Sequence, residues 1–426
     1  MSDRQRPNII LMFPDQWRGD FLGHMGHPDA RTPWADQLSA EGVSYSRAIT
    51  PSPSCIPARM ALMTGMSPWA NGRTGYQEGV HWQPPHTLPG LLRDAGYQTM
   101  QVGKTHFAPM RAHLGFEIND MYEASVREPG FVSDYHAELR RELPLVEDPA
   151  LRRHPNSWTV TPWCAERAWH NTEWITRRAI KRLQQRDPLR PFFMQVAWHR
   201  PHPPFDPPQD LWQAWRERAI TAPVVGDWVT DEPSRSQGLL CGGFQPLHSG
   251  FRPLPSQQTL EARRAYLASI EHVDEQIGRL LWKLQHLGLA GNTWLVLASD
   301  HGEFCGDHHR WHKSQPHIAA ARIPLIVRAP QAVELQRNTI CAAPVTLTDL
   351  MPSCLRWAGS TSPSAAMPVC SATASTSACP PSTTRRAGMR STIVAGPITG
   401  IATAANGSST MPTTRRKCTR HPPNTP

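Results

Sequence analysis

Five short uncharged runs, residues 7–13, 99–102, 192–198, 293–298 and 324–327, constrain the fold of this chain more than any other feature. All are too short for an ordinary helix and, apart from Thr-Met-Gln-Val at 99–102, apolar nearly throughout, the pattern of strands buried on both faces. Helical spacing of apolar residues fills the intervals, over residues 32–41, 57–66, 88–95, 165–185, 260–287 and 346–357. Strands alternating with helices predict an α/β fold: a large, mainly parallel sheet sandwiched between helices.

Polar residues stand directly after four of these runs. Asp15 and Gln16 follow the first, Lys104 and His106 the second, His199 and His202 the third, and Asp300 and His301 the fourth. In open α/β sheets the ligand site lies beyond the carboxyl ends of the strands, so these side chains are expected to converge. Any one Asp at a strand end reads equally well as a turn or cap residue. Taken together, two carboxylates, an amide and an imidazole form an oxygen-rich donor set suited to Ca²⁺, Mg²⁺ or Mn²⁺.

Composition excludes several classes. The chain has 426 residues, room for two or three average domains or one large α/β domain with an appendage. Its net charge of +9 invites a nucleic-acid reading, but seven of the 44 basic residues fall after residue 360, where there is no acid. The remaining 37 nearly balance all 35 acidic residues, and no basic stripe with interleaved aromatics occurs, so no nucleic-acid partner is expected. No apolar run reaches membrane-spanning length, and the start lacks a secretory signature, so the expectation is a cytoplasmic protein with no membrane partner. Nine scattered cysteines without C-x-x-C pairs read as reduced thiols. Residues 360–426 lack aromatic residues and acids and are rich in Ser, Thr, Pro and Arg, so they read as a disordered tail beside a domain at 1–359.

Residues 54–65, Ser-Cys-Ile-Pro-Ala-Arg-Met-Ala-Leu-Met-Thr-Gly, carry the most specific chemistry. Pro57 suits the first position of a helix running to Gly65, which would set Cys55 just ahead of an N-terminus that favours an anion. Cys55-x-Pro57-x-Arg59 resembles the segment from which the sulfatase family makes its nucleophile. Val102-Gly-Lys104-Thr-His106, Trp198-His-Arg-Pro-His202 and Gly306-Asp-His-His-Arg-Trp-His-Lys313 resemble further elements of that family, in the expected order across residues 7–357.

The resemblance implies an alkaline-phosphatase-like fold, with the family's C-terminal subdomain absent or disordered here. It also implies a hydrolase of sulfate monoesters that works through a covalent sulfo-enzyme intermediate. Cys55 would be oxidised to formylglycine by a formylglycine-generating enzyme, a maturation partner. Arg59 would hold the nucleophile, Lys104 would bridge it to the sulfate, and His106 would be the base that breaks down the intermediate. His202 would protonate the leaving group, with Lys313 on the same oxygen. Asp15, Gln16, Asp300, His301 and the modified Cys55 would hold one divalent metal, Ca²⁺ first, with Mn²⁺ and Mg²⁺ as alternatives. The partner is a small-molecule sulfate ester, aryl, choline or carbohydrate, and homo-oligomerisation is left open.

Gln16 and His301 depart from the family's usual Asp and Asn and look like the related phosphonate monoester hydrolases. A phosphonate or phosphate ester hydrolase is therefore the first alternative, opposed by Lys104 and His106. Residues 406–420, reread in a shifted frame with permitted codons, resemble a late sulfatase segment. The second alternative is thus the inactive product of a frameshifted gene.

Overall fold

The structure, a computed structural model, describes residues 6–124, 128–152, 157–229 and 254–360. The expected tail lies outside the described residues, apart from its first position. Eight strands form one sheet: β1 (Asn8–Met12), β2 (Val43–Ile49), β3 (Gln98–Gly103), β4 (Ile118–Met121), β5 (Phe192–Ala197), β6 (Thr293–Ala298), β7 (Leu325–Arg328) and β8 (Thr339–Thr346). Their spatial order is β4-β3-β5-β1-β6-β7-β2-β8. β7 pairs antiparallel with both β6 and β2, while every other pairing is parallel. The expected α/β sheet is present, and all five uncharged runs are strands within it.

Ten helices were found among the described residues: α1 (Pro33–Ala40), α2 (Cys55–Thr64), α3 (Leu88–Asp94), α4 (Asp134–Glu142), α5 (Pro149–Arg152), α6 (Asn171–Gln184), α7 (Gln209–Trp215), α8 (Ser256–His286), α9 (Ile318–Ala321) and α10 (Leu350–Trp357). Strand β1 shows how the layers are built. Ile10 and Met12 point into a core shared with Ala35 and Leu38 of α1, Trp174 and Ile175 of α6, and Tyr266 and Ile270 of α8. Ile9, Leu11 and Phe13 point the other way, onto Ile56, Met60 and Leu62 of α2, Leu88 and Leu92 of α3, and Leu350 and Met351 of α10. Side chains alternate across a strand, so an uninterrupted apolar run is the signature of a strand with helices on both faces.

Three expectations are corrected in detail. Helix α2 begins at Cys55, two residues before the expected start, which puts Cys55 at the first helical position and Pro57 at the third. The missing Pro57 N–H still falls in the first turn, where no intrahelical acceptor exists. Helix α6 starts at Asn171, behind a short 3-10 turn at Arg167–Trp169. Leu347–Asp349 form a 3-10 turn, capped by Thr346 with its N–H donating to Asp349 at 2.9 Å, and α10 follows it.

Long-range contacts complete these local elements. The Thr32 side chain does not cap α1; instead Asp274, from the middle of α8, accepts the N–H groups of Trp34 and Ala35 at 3.0 and 2.8 Å. At the end of β3, Gly103 adopts φ +106°, and a Cβ there would sit 2.1 Å from the carbonyl oxygen of Ala197 on β5. Only glycine lets the two chains approach this closely while β3 turns toward Lys104. Cys55, Cys164, Cys305, Cys341 and Cys354 are all free thiols. Among the described residues, no helix is long and apolar enough to cross a membrane.

Candidate active site

The residues that follow β1, β3, β5 and β6 converge at the carboxyl edge of the sheet, where the head of α2 meets them. Cys55 is 1 % exposed, and its Sγ lies 3.1 Å from His301 Nε2 and 3.9 Å from Asp15 Oδ1. Arg59, one helical turn further on and so on the same face, reaches across both strand ends. Its Nε donates to Asp300 Oδ2, one terminal nitrogen to Asp15 Oδ2 and the other to the carbonyl of Lys104, each at 3.0 Å. Lys104 Nζ lies 2.7 Å from Asp15 Oδ2, and both side chains are fully buried.

The charges decide the ionisation of the site. Burial opposes ionisation of Asp15, yet Lys104, His202 and Arg59 hold it well below the usual carboxylate range. Burial beside Asp15 pushes the Cys55 thiol up to about 11, so the unmodified residue is protonated at neutral pH and a poor nucleophile. His202 is held well below the ordinary histidine range by burial and then by Lys313 and Lys104. His106 is shifted the same way by burial, Lys104 and Arg59. Both imidazoles are therefore neutral at neutral pH, set by burial first and by the neighbouring cations second.

The donor set fits a divalent cation. Ligand atoms of Asp15, Cys55, Asp300 and His301 all lie within 4.8 Å of one another, and all four residues are buried. His301 Nδ1 is 2.9 Å from the carbonyl of Gly302, an arrangement that puts the ring proton on Nδ1 and leaves the Nε2 lone pair toward the cluster. Arg59 and Lys104 occupy the Oδ2 atoms of the two aspartates, while the Oδ1 atoms lie on the side of His301 Nε2, 3.8 Å away. Gln16 lies alongside: its backbone N–H donates to Asp300 Oδ1 at 2.9 Å, and its amide is held between Glu303 and Lys313.

Lys313 arrives on the loop after residue 306, which is anchored by Asp307 pairing with Arg18 at 2.6 Å and Arg263 at 3.3 Å. Its Nζ donates to Gln16 Oε1 at 2.6 Å and to His202 Nε2 at 2.8 Å. His202 Nδ1 in turn faces the carbonyl of Pro203 at 2.7 Å. Arg200 clamps the same loop, donating to the His202 carbonyl at 2.8 Å while its guanidinium grips buried Asp206.

Every residue singled out in the sequence therefore lies in one neighbourhood, with Gln16 beside the four-ligand cluster and His106 on the Lys104 side. Three contributors had no role assigned. Glu303 holds the Gln16 amide and accepts the Cys305 N–H at 3.0 Å, and it stands only two residues after His301 in the chain. Glu123 accepts the His106 N–H at 3.0 Å, and Tyr76 approaches the His106 ring; neither belongs to a pattern that marks it.

Comparison with known proteins agrees with this architecture. The family described as Sulfatase matches residues 7–360. An arylsulfatase of Clostridium perfringens is 33 % identical over 372 residues, covering 83 % of this chain and 75 % of that protein. A multifunctional alkaline phosphatase superfamily protein of Trinickia caryophylli is 26 % identical, covering 84 % and 75 %. The crystal structure of a phosphonate monoester hydrolase from Agrobacterium radiobacter superposes with a TM-score of 0.69 at 24 % identity, over 83 % of this chain and 74 % of that one, and so shares the fold. With an alkaline-phosphatase-like sheet, a cysteine-headed helix at its carboxyl edge and a family match spanning that whole body, the chain belongs to the sulfatase family of sulfuric ester hydrolases.

Proposed function

We propose that this enzyme cleaves sulfate monoesters with residue 55 as nucleophile, after oxidation of Cys55 to formylglycine by a formylglycine-generating enzyme. A divalent metal would be held by Asp15, Gln16, Asp300, His301 and residue 55. The observation that carries the reading is the convergence on Cys55 of these ligand groups with the cations Arg59, Lys104 and Lys313. When present, the hydrated aldehyde supplies two geminal hydroxyls, and the metal supplies positive charge toward the sulfate oxygens.

The chain's own residues do the rest. Arg59 fixes Asp15 and Asp300, so the two carboxylates stay aimed at the metal position. Lys104 and Lys313 compensate the charge of a bound sulfate in a buried site where water screens little. Lys313 donates to neutral His202 Nε2 along a 2.8 Å contact, and His202 would relay that proton to the departing oxygen. His106 is the base for the second half of the reaction. Among metals, an imidazole donor favours Mn²⁺ over Ca²⁺ or Mg²⁺, whose sites are built from oxygens. Residues 360–426 are proposed to lie outside the catalytic domain of residues 1–359, in keeping with a family match that stops at residue 360.

The second reading, a phosphonate monoester hydrolase, is favoured by His301 in the cluster and by Gln16 beside it. Turnover of an aryl sulfate, a phosphate diester and a phosphonate monoester on one preparation of the matured protein, with Cys55→Ala as control, separates the two. Fastest turnover of the sulfate is expected. Fastest turnover of the phosphonate would overturn the assignment.

A further inference from the structure

His106 is held at two points. Its backbone takes φ +59°, a left-handed conformation uncommon for a side-chain-bearing residue, with its N–H on Glu123 Oε2 at 3.0 Å. Its ring meets Tyr76 edge-on, with centroids 5.7 Å apart and planes at 81°, and Nε2 is 3.5 Å from the Tyr76 hydroxyl. That hydroxyl has a single proton and donates it in a hydrogen bond to the Glu78 carboxylate, in close contact. Toward His106 the Tyr76 oxygen therefore acts as an acceptor, which requires the imidazole proton to sit on Nε2. Among the described residues Nδ1, buried within the pocket, has no hydrogen-bond partner.

We infer that Tyr76 and Glu78 are positioning residues that hold His106 in the Nε2–H tautomer and leave Nδ1 as its proton-accepting atom. The inference rests on the reading of His106 as a base and adds the device that makes one nitrogen basic. The logic is that of a carboxylate orienting a catalytic imidazole through its far nitrogen, here relayed by a phenol. When Nδ1 accepts a proton, the ring becomes an imidazolium whose Nε2–H stays on the Tyr76 oxygen. The negative charge of Glu78 then lies beyond that oxygen. The phenol keeps its own proton throughout, so one proton is gained by the ring and no other bond changes.

The test uses the full chain labelled with ¹⁵N in its histidine rings, the His106 signals being identified by their loss in His106→Gln. In the wild type, long-range ¹H–¹⁵N spectra should show a protonated Nε2 and an unprotonated Nδ1. Tyr76→Phe keeps the ring contact and removes the oxygen, and should give a mixture of tautomers. Its kcat for sulfate esters should fall about tenfold to a hundredfold, with KM within about twofold. Glu78→Gln, whose amide oxygen still accepts from the phenol, should stay nearer the wild type than Glu78→Ala. A wild-type His106 protonated on Nδ1, or a Tyr76→Phe enzyme with wild-type kcat and a single Nε2–H tautomer, would overturn the inference. If the wild type turns over no sulfate ester, the functional reading fails, while the tautomer spectra still decide this one.

Discussion

Cys55 Sγ stands 3.1 Å from His301 Nε2, although the two residues are 246 positions apart and reach each other from a helix head and a strand end. In the proposed mechanism this contact joins the nucleophile to the groups that would hold the metal. Replacing Cys55 by Ala should lower turnover by about a thousandfold or more, with the melting temperature nearly unchanged. Mass spectrometry of the peptide carrying residue 55 should detect the aldehyde after co-expression with the maturation enzyme. An unmodified thiol in an active preparation would remove formylglycine from the mechanism.

Since His301 contributes the nitrogen of the donor set, His301→Ala should weaken metal binding by about tenfold or more. Elemental analysis of dialysed protein reads this directly. A chelator should abolish turnover in the wild type, and Mn²⁺ should restore it better than Ca²⁺. Full activity in the chelated enzyme would leave the cluster without a metal role.

Leaving-group dependence should expose the function of His202. A general acid matters most when the departing oxygen is strongly basic, so His202→Ala should slow alkyl sulfates by about 10²–10⁴-fold. Nitrophenyl sulfate should be slowed much less. Equal losses across a series of phenyl sulfates of graded pKa would point to a binding role instead.

Buried Asp206 neutralises buried Arg200, and Arg200 in turn holds the His202 carbonyl. Asp206→Asn leaves that guanidinium without its charge partner and should cost about 3–5 kcal/mol in stability. Urea denaturation measures it. A loss below about 1 kcal/mol would mean that solvent reaches the pair.

Stability should also fall with acid well above the carboxylate range. His272 is fully buried, and desolvation lowers it from the ordinary 6.5 to about 3 despite its hydrogen bond to Glu173. Between those pH values the unfolded chain binds a proton that the folded one does not, so stability rises with pH across the window. The slope from this group is about 1.4 kcal/mol per pH unit. Denaturation curves from pH 7 to pH 5 should therefore lose less stability in His272→Gln than in the wild type, and parallel losses would count against the assignment.

The apolar runs made five strands legible, because a strand covered on both faces needs an unbroken apolar stretch and little else produces one so short. Strands β2, β4 and β8 escaped notice for the complementary reason. Val43–Ile49 carries Ser44, Ser46 and Arg47, Ile118–Met121 carries Asn119 and Asp120, and β8 at the sheet edge exposes Ile340 and includes Pro344. Edge and half-covered strands tolerate polar residues and proline, so their composition merges with that of loops.

The candidate site divides along the same line. Chain order and residue type alone determined that Asp15, Lys104, His202 and Asp300 follow strands of one sheet and that Cys55 heads a helix, since strand direction sends all such residues to one edge. Only the tertiary structure decided that Arg59 grips both aspartates, that Glu303 and Lys313 hold Gln16 between them, and that Tyr76 meets His106. Periodicity and capping are local and leave their mark on neighbouring residues. A hydrogen bond between residues 30 to nearly 300 positions apart leaves none, because its geometry exists only once the strands have found their order in the sheet.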